Sequence, residues 1–271
     1  MAAIKTVGIA GTGLIGAGWA ARLLIRGFDV IAYDVKPDAE DRLKAAIKVA
    51  WPSMENLLGK PARKGKLKFT TDLKEMASKA DFIHEAAPER EDLKIKLFRD
   101  IDAVARPDVI IASSSSGFLP TRLQSECQRH PERVIIGHPF NPPYLVPLVE
   151  IAGVDGANAG VVERARAFYE ATGMKVVTLN REIRGYVANR MQSAVLREVL
   201  YMLDQGVATV EDIDAALSFG PARRWAFMGL STVFYLGGGS PEGYRRFVDL
   251  IVNELAEGYA APGDFHPSPA L

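Results

Sequence analysis

Histidine is the side chain best suited to removing a hydroxyl proton near neutral pH, and this chain of 271 residues contains four histidines. His138 directly follows the apolar run 134–137, so it falls at the carboxyl end of a predicted strand, where open α/β sheets bind ligands. His84 falls inside another predicted strand, whereas His130 and His266 fall in a polar loop and in the tail. We therefore interpret His138 as a candidate general base, with a structural histidine as the alternative.

A proline-rich reversal after His138 returns the chain to the apolar run 148–152, which carries Glu150. This return allows Glu150 to face His138, where a buried carboxylate on the far ring nitrogen would fix the tautomer and favour the imidazolium form. Four serines, Ser113–Ser116, end another predicted strand and can donate hydrogen bonds to a carbonyl or an alkoxide, or simply form a solvated turn. These residue types together could remove a proton from a hydroxyl group and stabilise the negative charge left on its oxygen.

Three glycines form the pattern G-x-G-x-x-G directly after an apolar run and at the start of a predicted helix. Glycine at these places permits a tight turn, lets the backbone approach a pyrophosphate and presents helix N-terminal amides to it. Asp34 ends the next predicted strand, where an acidic side chain accepts hydrogen bonds from the adenosine ribose and repels a 2′-phosphate. The pattern predicts NAD rather than NADP; the alternative is a packing turn with Asp34 as a helix cap. The predicted cofactor-binding residues in this region are Gly11, Gly13, Leu14, Ile15, Gly16 and Asp34.

Short apolar runs alternate with helical periodicity through the first two thirds of the chain. The predicted strands cover residues 5–10, 29–33, 67–70, 82–85, 109–113, 134–138, 148–152 and 175–178. This alternation is typical of βαβ units. Later apolar residues follow helical spacing only, with a helix start at Thr209, a turn at 237–241 and a loose tail from Ala260. We predict an α/β fold in which a Rossmann-type, doubly wound, mainly parallel sheet over 1–182 precedes a smaller all-helical domain over 183–271.

Composition and charge exclude several classes of protein. Thirty-three basic and thirty-three acidic side chains give no net charge, which disfavours nucleic-acid binding, and a mean hydropathy of +0.02 disfavours a membrane bundle. The uncharged stretch 6–21 is too short to span a membrane. The single cysteine, Cys127, forms neither an internal disulfide nor a multi-cysteine metal site, so we expect a cytoplasmic protein without a structural metal. We predict Cys127 to be a small buried residue in a polar helix, which also argues against dehydrogenases that use a catalytic cysteine.

At these motifs the chain resembles the L-3-hydroxyacyl-CoA dehydrogenase superfamily, from about Lys5 to Gly239. The resemblance implies an NAD-dependent dehydrogenase of a small-molecule substrate, with a homodimer formed through the helical domain. The implied active-site residues are Ser116, His138, Glu150 and, in the motif Gly185-Tyr-Val-Ala-Asn-Arg190, Asn189. The implied residues on the nicotinamide side of the cofactor are Glu89 and Lys94.

Within this superfamily the chain looks most like the L-carnitine 3-dehydrogenases and next most like the L-gulonate 3-dehydrogenase branch. The stretches that carry this resemblance are 50–52, 87–90, 115–120, 138–144 and 224–229. The lysine-rich helical insert that binds CoA in the acyl-CoA members is not recognisable between Asp38 and Lys66, which argues against a CoA thioester. The residue implied to bind the substrate carboxylate is Arg224, with a surface arginine on a helix as the alternative. An aromatic site for a quaternary ammonium would use Trp225, Phe227, Tyr144 and Phe140. Core packing explains the same aromatic residues equally well. An L-3-hydroxyacyl-CoA dehydrogenase, an L-gulonate 3-dehydrogenase and a non-catalytic, crystallin-like NAD-binding protein are the alternatives.

Overall fold

The computed structural model describes residues 4–154, 159–256, 258 and 260. The chain divides into two compact units, of which the first ends at Val187 and the second begins at Ala188. No helix in the described part of the chain is long and apolar enough to cross a membrane.

The first unit is built around one sheet of eight strands. The strands are β1 (Thr6–Ala10), β2 (Asp29–Tyr33), β3 (Leu67–Thr70), β4 (Phe82–Glu85), β5 (Ile110–Ser113), β6 (Val134–Pro139), β7 (Leu148–Ala152) and β8 (Lys175–Thr178). The helices are α1 (Leu14–Ile25), α2 (Ala39–Leu58), α3 (Leu73–Lys79), α4 (Glu91–Asp102), α5 (Pro120–Leu123) and α6 (Ala159–Ala171), with a 3₁₀ turn at Pro131–Arg133. The strand order is β3-β2-β1-β4-β5-β6-β7-β8, and every neighbouring pair is parallel except β6 with β7. The predicted doubly wound, mainly parallel fold is confirmed.

Both faces of the sheet are buried, as continuous apolar strands require. Successive residues of β4 show this, because Phe82 packs in one core cluster and Ile83 in the other. The first cluster contains Trp19 and Tyr169, and the second contains Phe98. The carboxyl ends of the parallel strands therefore meet at one edge, between two layers of helices.

Gly137 in β6 allows α6 to pack closely on the sheet. A Cβ at this position would lie 2.1 Å from the hydroxyl oxygen of Tyr169, which also contacts Nδ1 of His84 at 2.8 Å. Gly137→Ala is therefore expected to lower the free energy of unfolding by about 1–3 kcal/mol, measured by urea denaturation. The matched control is Gly160→Ala in α6, where the new Cβ meets no atom within 4 Å. Equal stability of the two variants would contradict this packing.

The second unit is helical over its described residues. Its helices are α7 (Ala188–Asp204), α8 (Val210–Phe219), α9 (Pro221–Trp225), α10 (Leu230–Gly238) and α11 (Pro241–Ala256). The predicted helix start is confirmed, since the Thr209 hydroxyl caps α8 by accepting the Asp212 N–H at 3.1 Å. The predicted turn at 237–241 is shorter, because α10 continues to Gly238 and ends on Gly239 in the left-handed conformation. The tail beyond Ala260 lies outside the described residues.

The prediction of a helix around Cys127 is wrong. Helix α5 ends at Leu123, and the Asp102 carboxylate then accepts the backbone N–H groups of residues 128, 129 and 130. The segment is thus held by a side chain rather than by helical hydrogen bonds. The prediction that Cys127 is buried is confirmed, and burial raises the pKa of its thiol to about 12, so the thiol stays protonated at neutral pH.

Candidate active site

The three glycines at the turn from β1 into α1 are required for different structural reasons. Gly11 has φ +100°, and a Cβ there would lie 2.6 Å from the carbonyl oxygen of Ala86 after β4. A Cβ on Gly16 would lie 2.0 Å from the Gly11 carbonyl oxygen, whereas one on Gly13 would meet no atom within 4 Å. Gly13 therefore leaves open space at the N-terminus of α1, and no side chain caps that helix. These features fit the pyrophosphate of a dinucleotide.

Asp34 lies beside this glycine turn. Its Oδ2 accepts both the backbone N–H of Thr12, at 3.0 Å, and the Thr12 hydroxyl, at 2.8 Å. Leu14 is 68% exposed at the start of α1, whereas Ile15 packs partly against the core. The structure thus brings the predicted cofactor-binding residues of the first two strands together at one edge of the sheet.

His138 and Glu150 face each other across the antiparallel strands β6 and β7. The two residues are register partners, and His138 Nδ1 lies 3.0 Å from Glu150 Oε2. Both side chains are buried. The second carboxylate oxygen of Glu150 accepts the backbone N–H of Val187 at 2.9 Å. The proximity expected from the proline-rich reversal is therefore observed, and the carboxylate fixes the imidazole from one side.

Two aromatic rings flank the His138 imidazole. The Phe140 ring lies 5.5 Å from it and the Tyr186 ring 5.1 Å, between centroids. Tyr186 is fully buried with φ +48°, and its hydroxyl donates to the Phe118 carbonyl at 2.8 Å. Sequence reasoning missed Tyr186, although it lies in the same motif as Asn189. Tyr144, also predicted from the sequence, packs against the core cluster of the first unit.

A buried carboxylate that the sequence analysis missed, Glu85, ends β4 at this edge. It accepts hydrogen bonds from Lys94 Nζ at 2.6 Å, from the Ala87 N–H at 2.6 Å and from the Ser113 hydroxyl at 2.5 Å. Burial raises the pKa of Glu85, and the attraction of the Lys94 ammonium opposes that rise. An acidic residue at the end of an otherwise apolar strand is the signal that could have identified it.

Glu89 links this cluster to Ser116. Its Oε2 lies 3.4 Å from Lys94 Nζ, and its Oε1 accepts the Ser115 hydroxyl at 2.6 Å and the Ser116 N–H at 3.0 Å. Ser116 itself is exposed. Glu89, Lys94 and the serine turn therefore form one connected group after β4 and β5.

His84 is a structural histidine. Its Nε2 contacts the Ser114 hydroxyl at 2.7 Å and its Nδ1 contacts the Tyr169 hydroxyl at 2.8 Å. Burial lowers its pKa to about 3, so the ring is neutral near pH 7. This leaves His138 as the candidate general base among the described histidines at the sheet edge.

Four of the residues predicted for the site belong to the second unit. Asn189 is half-buried in the first turn of α7, and Arg224 is exposed in the last turn of α9. Trp225 is half-buried, whereas Phe227 is 88% exposed. Their participation in the site stays a prediction. No group of three or more potential metal ligands occurs among the described residues.

Oxidation of an alcohol sends a hydride to a nicotinamide and a proton to a base. One edge of this sheet carries both a dinucleotide turn and a buried histidine, which places the protein among the NAD-dependent dehydrogenases. Residues 6–183 match the profile of the 3-hydroxyacyl-CoA dehydrogenase NAD-binding domain, and residues 185–264 match that of the C-terminal domain. The chain belongs to the 3-hydroxyacyl-CoA dehydrogenase family.

Curated relatives agree with this membership. The chain is 47% identical to the L-carnitine dehydrogenase of Nocardiopsis dassonvillei, covering 88% of this chain and 72% of the relative. It is 42% identical to the L-carnitine dehydrogenase of Pseudomonas putida, covering 99% and 82%. A solved structure of 5-formyl-3-hydroxy-2-methylpyridine 4-carboxylic acid 5-dehydrogenase aligns with a TM-score of 0.87 at 30% identity, over 98% of this chain and 84% of that chain.

Proposed function

We propose that this protein oxidises the 3-hydroxyl group of L-carnitine to the ketone of 3-dehydrocarnitine, with NAD as the hydride acceptor. The observation that carries the proposal is the buried His138–Glu150 pair at the cofactor edge, in a chain 42–47% identical to L-carnitine dehydrogenases. We assign NAD binding to residues 1–182, and substrate binding and dimerisation to residues 183–271. Gly11, Gly13, Gly16 and Asp34 would hold the adenosine and pyrophosphate parts, with Glu89 and Lys94 on the nicotinamide side.

The proposed mechanism uses His138 as the general base. NAD, when bound, supplies the carbon that accepts the hydride. Because Nδ1 of His138 is engaged by Glu150, Nε2 is the nitrogen that removes the substrate hydroxyl proton. The Glu150 carboxylate then stabilises the resulting imidazolium. Ser116 and Asn189 donate hydrogen bonds to the oxygen as its negative charge develops.

The substrate carboxylate is assigned to Arg224, because a guanidinium binds a carboxylate through two parallel hydrogen bonds. The trimethylammonium group would lie against aromatic faces, for which Trp225, Phe227, Phe140 and Tyr144 are the candidates. The high exposure of Phe227 supports a role beyond packing of the second unit.

A substrate panel tests the proposal directly. Purified protein with NAD is offered L-carnitine, L-gulonate, 3-hydroxybutyrate and 3-hydroxybutyryl-CoA, and NADH formation is followed by absorbance. L-carnitine is expected to give the highest kcat/KM. A higher kcat/KM with the CoA ester or with gulonate would show that the proposed substrate is wrong and would identify the preferred one. Absence of turnover with every substrate, together with intact NAD binding, would favour a non-catalytic role.

Arg224→Met is expected to raise KM for L-carnitine about 10- to 100-fold, the loss expected for a charged hydrogen-bonded pair. The matched control is Arg223→Met on the same helix, where the guanidinium lies over the Phe219 ring instead. Steady-state kinetics of both variants measure the effect. Equal KM values for the two variants would show that Arg224 does not bind the substrate carboxylate.

We also propose that the protein is a homodimer formed through its helical unit and that it works in the cytoplasm. A small bundle cannot easily bury all of the apolar side chains of this segment, which are Leu230, Val233, Phe234, Tyr235 and Leu236. Leu236 is 59% exposed and Tyr235 45%, which supports a covered face, whereas Val233 is buried within its own unit. The free, buried Cys127 is consistent with a reducing compartment.

Leu236→Glu is expected to convert a dimer into a monomer at micromolar concentration, because the interface would bury a charge without a partner. Sedimentation velocity gives the mass of each species. The control is Leu57→Glu, a comparably exposed leucine in α2 of the first unit. A wild-type protein that sediments as a monomer would contradict the dimer.

A further inference from the structure

Glu85 is the most completely buried carboxylate at the cofactor edge, and the chemistry proposed above gives it no role. It is 0% exposed, and its three hydrogen-bond donors come from different segments: the loop after β4, helix α4 and the end of β5. The Lys94 ammonium at 2.6 Å is itself only 1% exposed. Burial raises the pKa of this carboxyl group, and the three donors with the neighbouring ammonium oppose that rise by favouring the ionised form.

The position of this cluster in the fold places it where a dinucleotide binds. Strands β1 and β4 are neighbours, and the chain leaves them towards opposite sides of the sheet, which makes the crevice between their carboxyl ends the ligand site of this architecture. The Gly11 backbone packs against Ala86 and Ala87, the residues that directly follow Glu85. The Ala87 N–H bonds to the Glu85 carboxylate itself. Glu85 therefore holds the loop on which the dinucleotide turn rests.

With both of its carboxylates ionised, the cluster has one negative charge more than its Lys94 ammonium can balance. Glu85 and Glu89 are two carboxylates, and Lys94 is the single ammonium between them, 2.6 Å from one and 3.4 Å from the other. The nicotinamide ring of NAD⁺ is positively charged, and it becomes neutral when a hydride adds to it with its electron pair. A fixed negative charge near the ring therefore stabilises bound NAD⁺ relative to bound NADH.

We propose that Glu85 is a positioning residue whose ionised, buried carboxylate fixes a net negative charge beside the nicotinamide site and so shifts the relative affinity of the protein towards NAD⁺. This inference rests on the proposed NAD site but not on the identity of the substrate. Glu85 acts through Lys94 and Glu89 and through the loop that it holds. The consequence is a bias of the bound cofactor towards the oxidised form, which is the form that accepts hydride.

The test is a pair of dissociation constants measured without substrate, for NAD⁺ and for NADH, by calorimetry. Glu85→Gln keeps the size of the side chain and removes its charge, so the cluster becomes neutral. The ratio Kd(NAD⁺)/Kd(NADH) is expected to rise about tenfold, the effect of one unit charge at roughly 10 Å in a protein of effective dielectric constant of about 20. Glu85→Asp keeps the charge and is expected to restore most of the wild-type ratio.

Asp102→Asn is the matched control, because Asp102 also forms a buried ion pair, 2.7 Å from Arg133 and 1% exposed, at the end of α4. Its removal is expected to lower stability without changing the ratio. If Glu85→Gln does not fold, Glu89→Gln removes the same unit charge at a half-exposed position and is expected to move the ratio in the same direction. An unchanged ratio in whichever of these two folds would overturn the inference. If the wild-type protein bound neither NAD⁺ nor NADH, the proposed NAD site itself, on which this inference rests, would be wrong.

Discussion

His138→Gln is expected to lower kcat by about 10²- to 10⁴-fold, the contribution usually made by a positioned general base. Glutamine retains polarity and approximate size, but it cannot take the hydroxyl proton. Because the imidazole contacts Glu150 through Nδ1 and is 4% exposed, the substitution removes the base from a fixed and protected position. Steady-state kinetics with L-carnitine and saturating NAD measure the loss.

His130→Gln is the control for this experiment. His130 precedes the 3₁₀ turn, with its Nδ1 3.2 Å from the exposed Glu132 carboxylate, and its substitution is expected to leave kcat unchanged. The Kd for NADH is expected to stay within about twofold in both variants, since neither residue belongs to the proposed cofactor site. Full turnover by the His138 variant would exclude His138 as the base.

The second large effect concerns the choice between NAD and NADP. We expect the wild-type protein to prefer NAD by about 10²-fold or more in kcat/KM, because at an effective dielectric constant of about 20 two like charges roughly 6 Å apart repel by about 2–3 kcal/mol. Asp34 supplies the negative charge on the protein side. Its position is fixed by the two hydrogen bonds from Thr12, so the carboxylate cannot easily turn away from a 2′-phosphate.

Asp34→Asn isolates this charge effect. The asparagine oxygen can still accept the Thr12 hydrogen bonds, and the preference for NAD is expected to fall at least tenfold while the thermal midpoint changes little. Asp38→Asn provides the comparison, because Asp38 is an exposed acid at the start of α2, 67% exposed on its side chain. Equal activity of the wild-type protein with NAD and NADP would show that Asp34 does not discriminate between the 2′-hydroxyl and the 2′-phosphate of the adenosine ribose.

The strands and the glycine turn could be predicted from the sequence because their signals are local. Continuous apolar runs indicate buried parallel strands, and the run 134–137 with the return at 148–152 was enough to bring His138 opposite Glu150. Both residues lie within twelve positions of each other, so the short reversal constrains their geometry.

The features that the sequence did not predict depend on contacts between residues that are distant in the sequence. Glu85 becomes part of a buried charged cluster only because Lys94 in α4 and Ser113 in β5 donate hydrogen bonds to its carboxylate. The helix predicted at Cys127 is absent because Asp102, on another helix, accepts the backbone N–H groups that follow it. No periodicity in the sequence carries either fact, since a side chain that replaces a helical hydrogen bond leaves the local pattern unchanged.

The enclosure of His84 between Trp19 and Tyr169 links protonation to folding. The Trp19 and His84 rings are 4.5 Å apart, and burial holds the pKa of this imidazole at about 3 against 6.5 in an unfolded chain. Between about pH 6.5 and pH 3 the His84 imidazole is protonated in the unfolded chain but stays neutral in the folded chain. The stabilisation associated with the neutral ring is complete above that pH and is lost progressively as the pH falls towards about 3. Acid therefore acts on this protein as a ligand of its unfolded state.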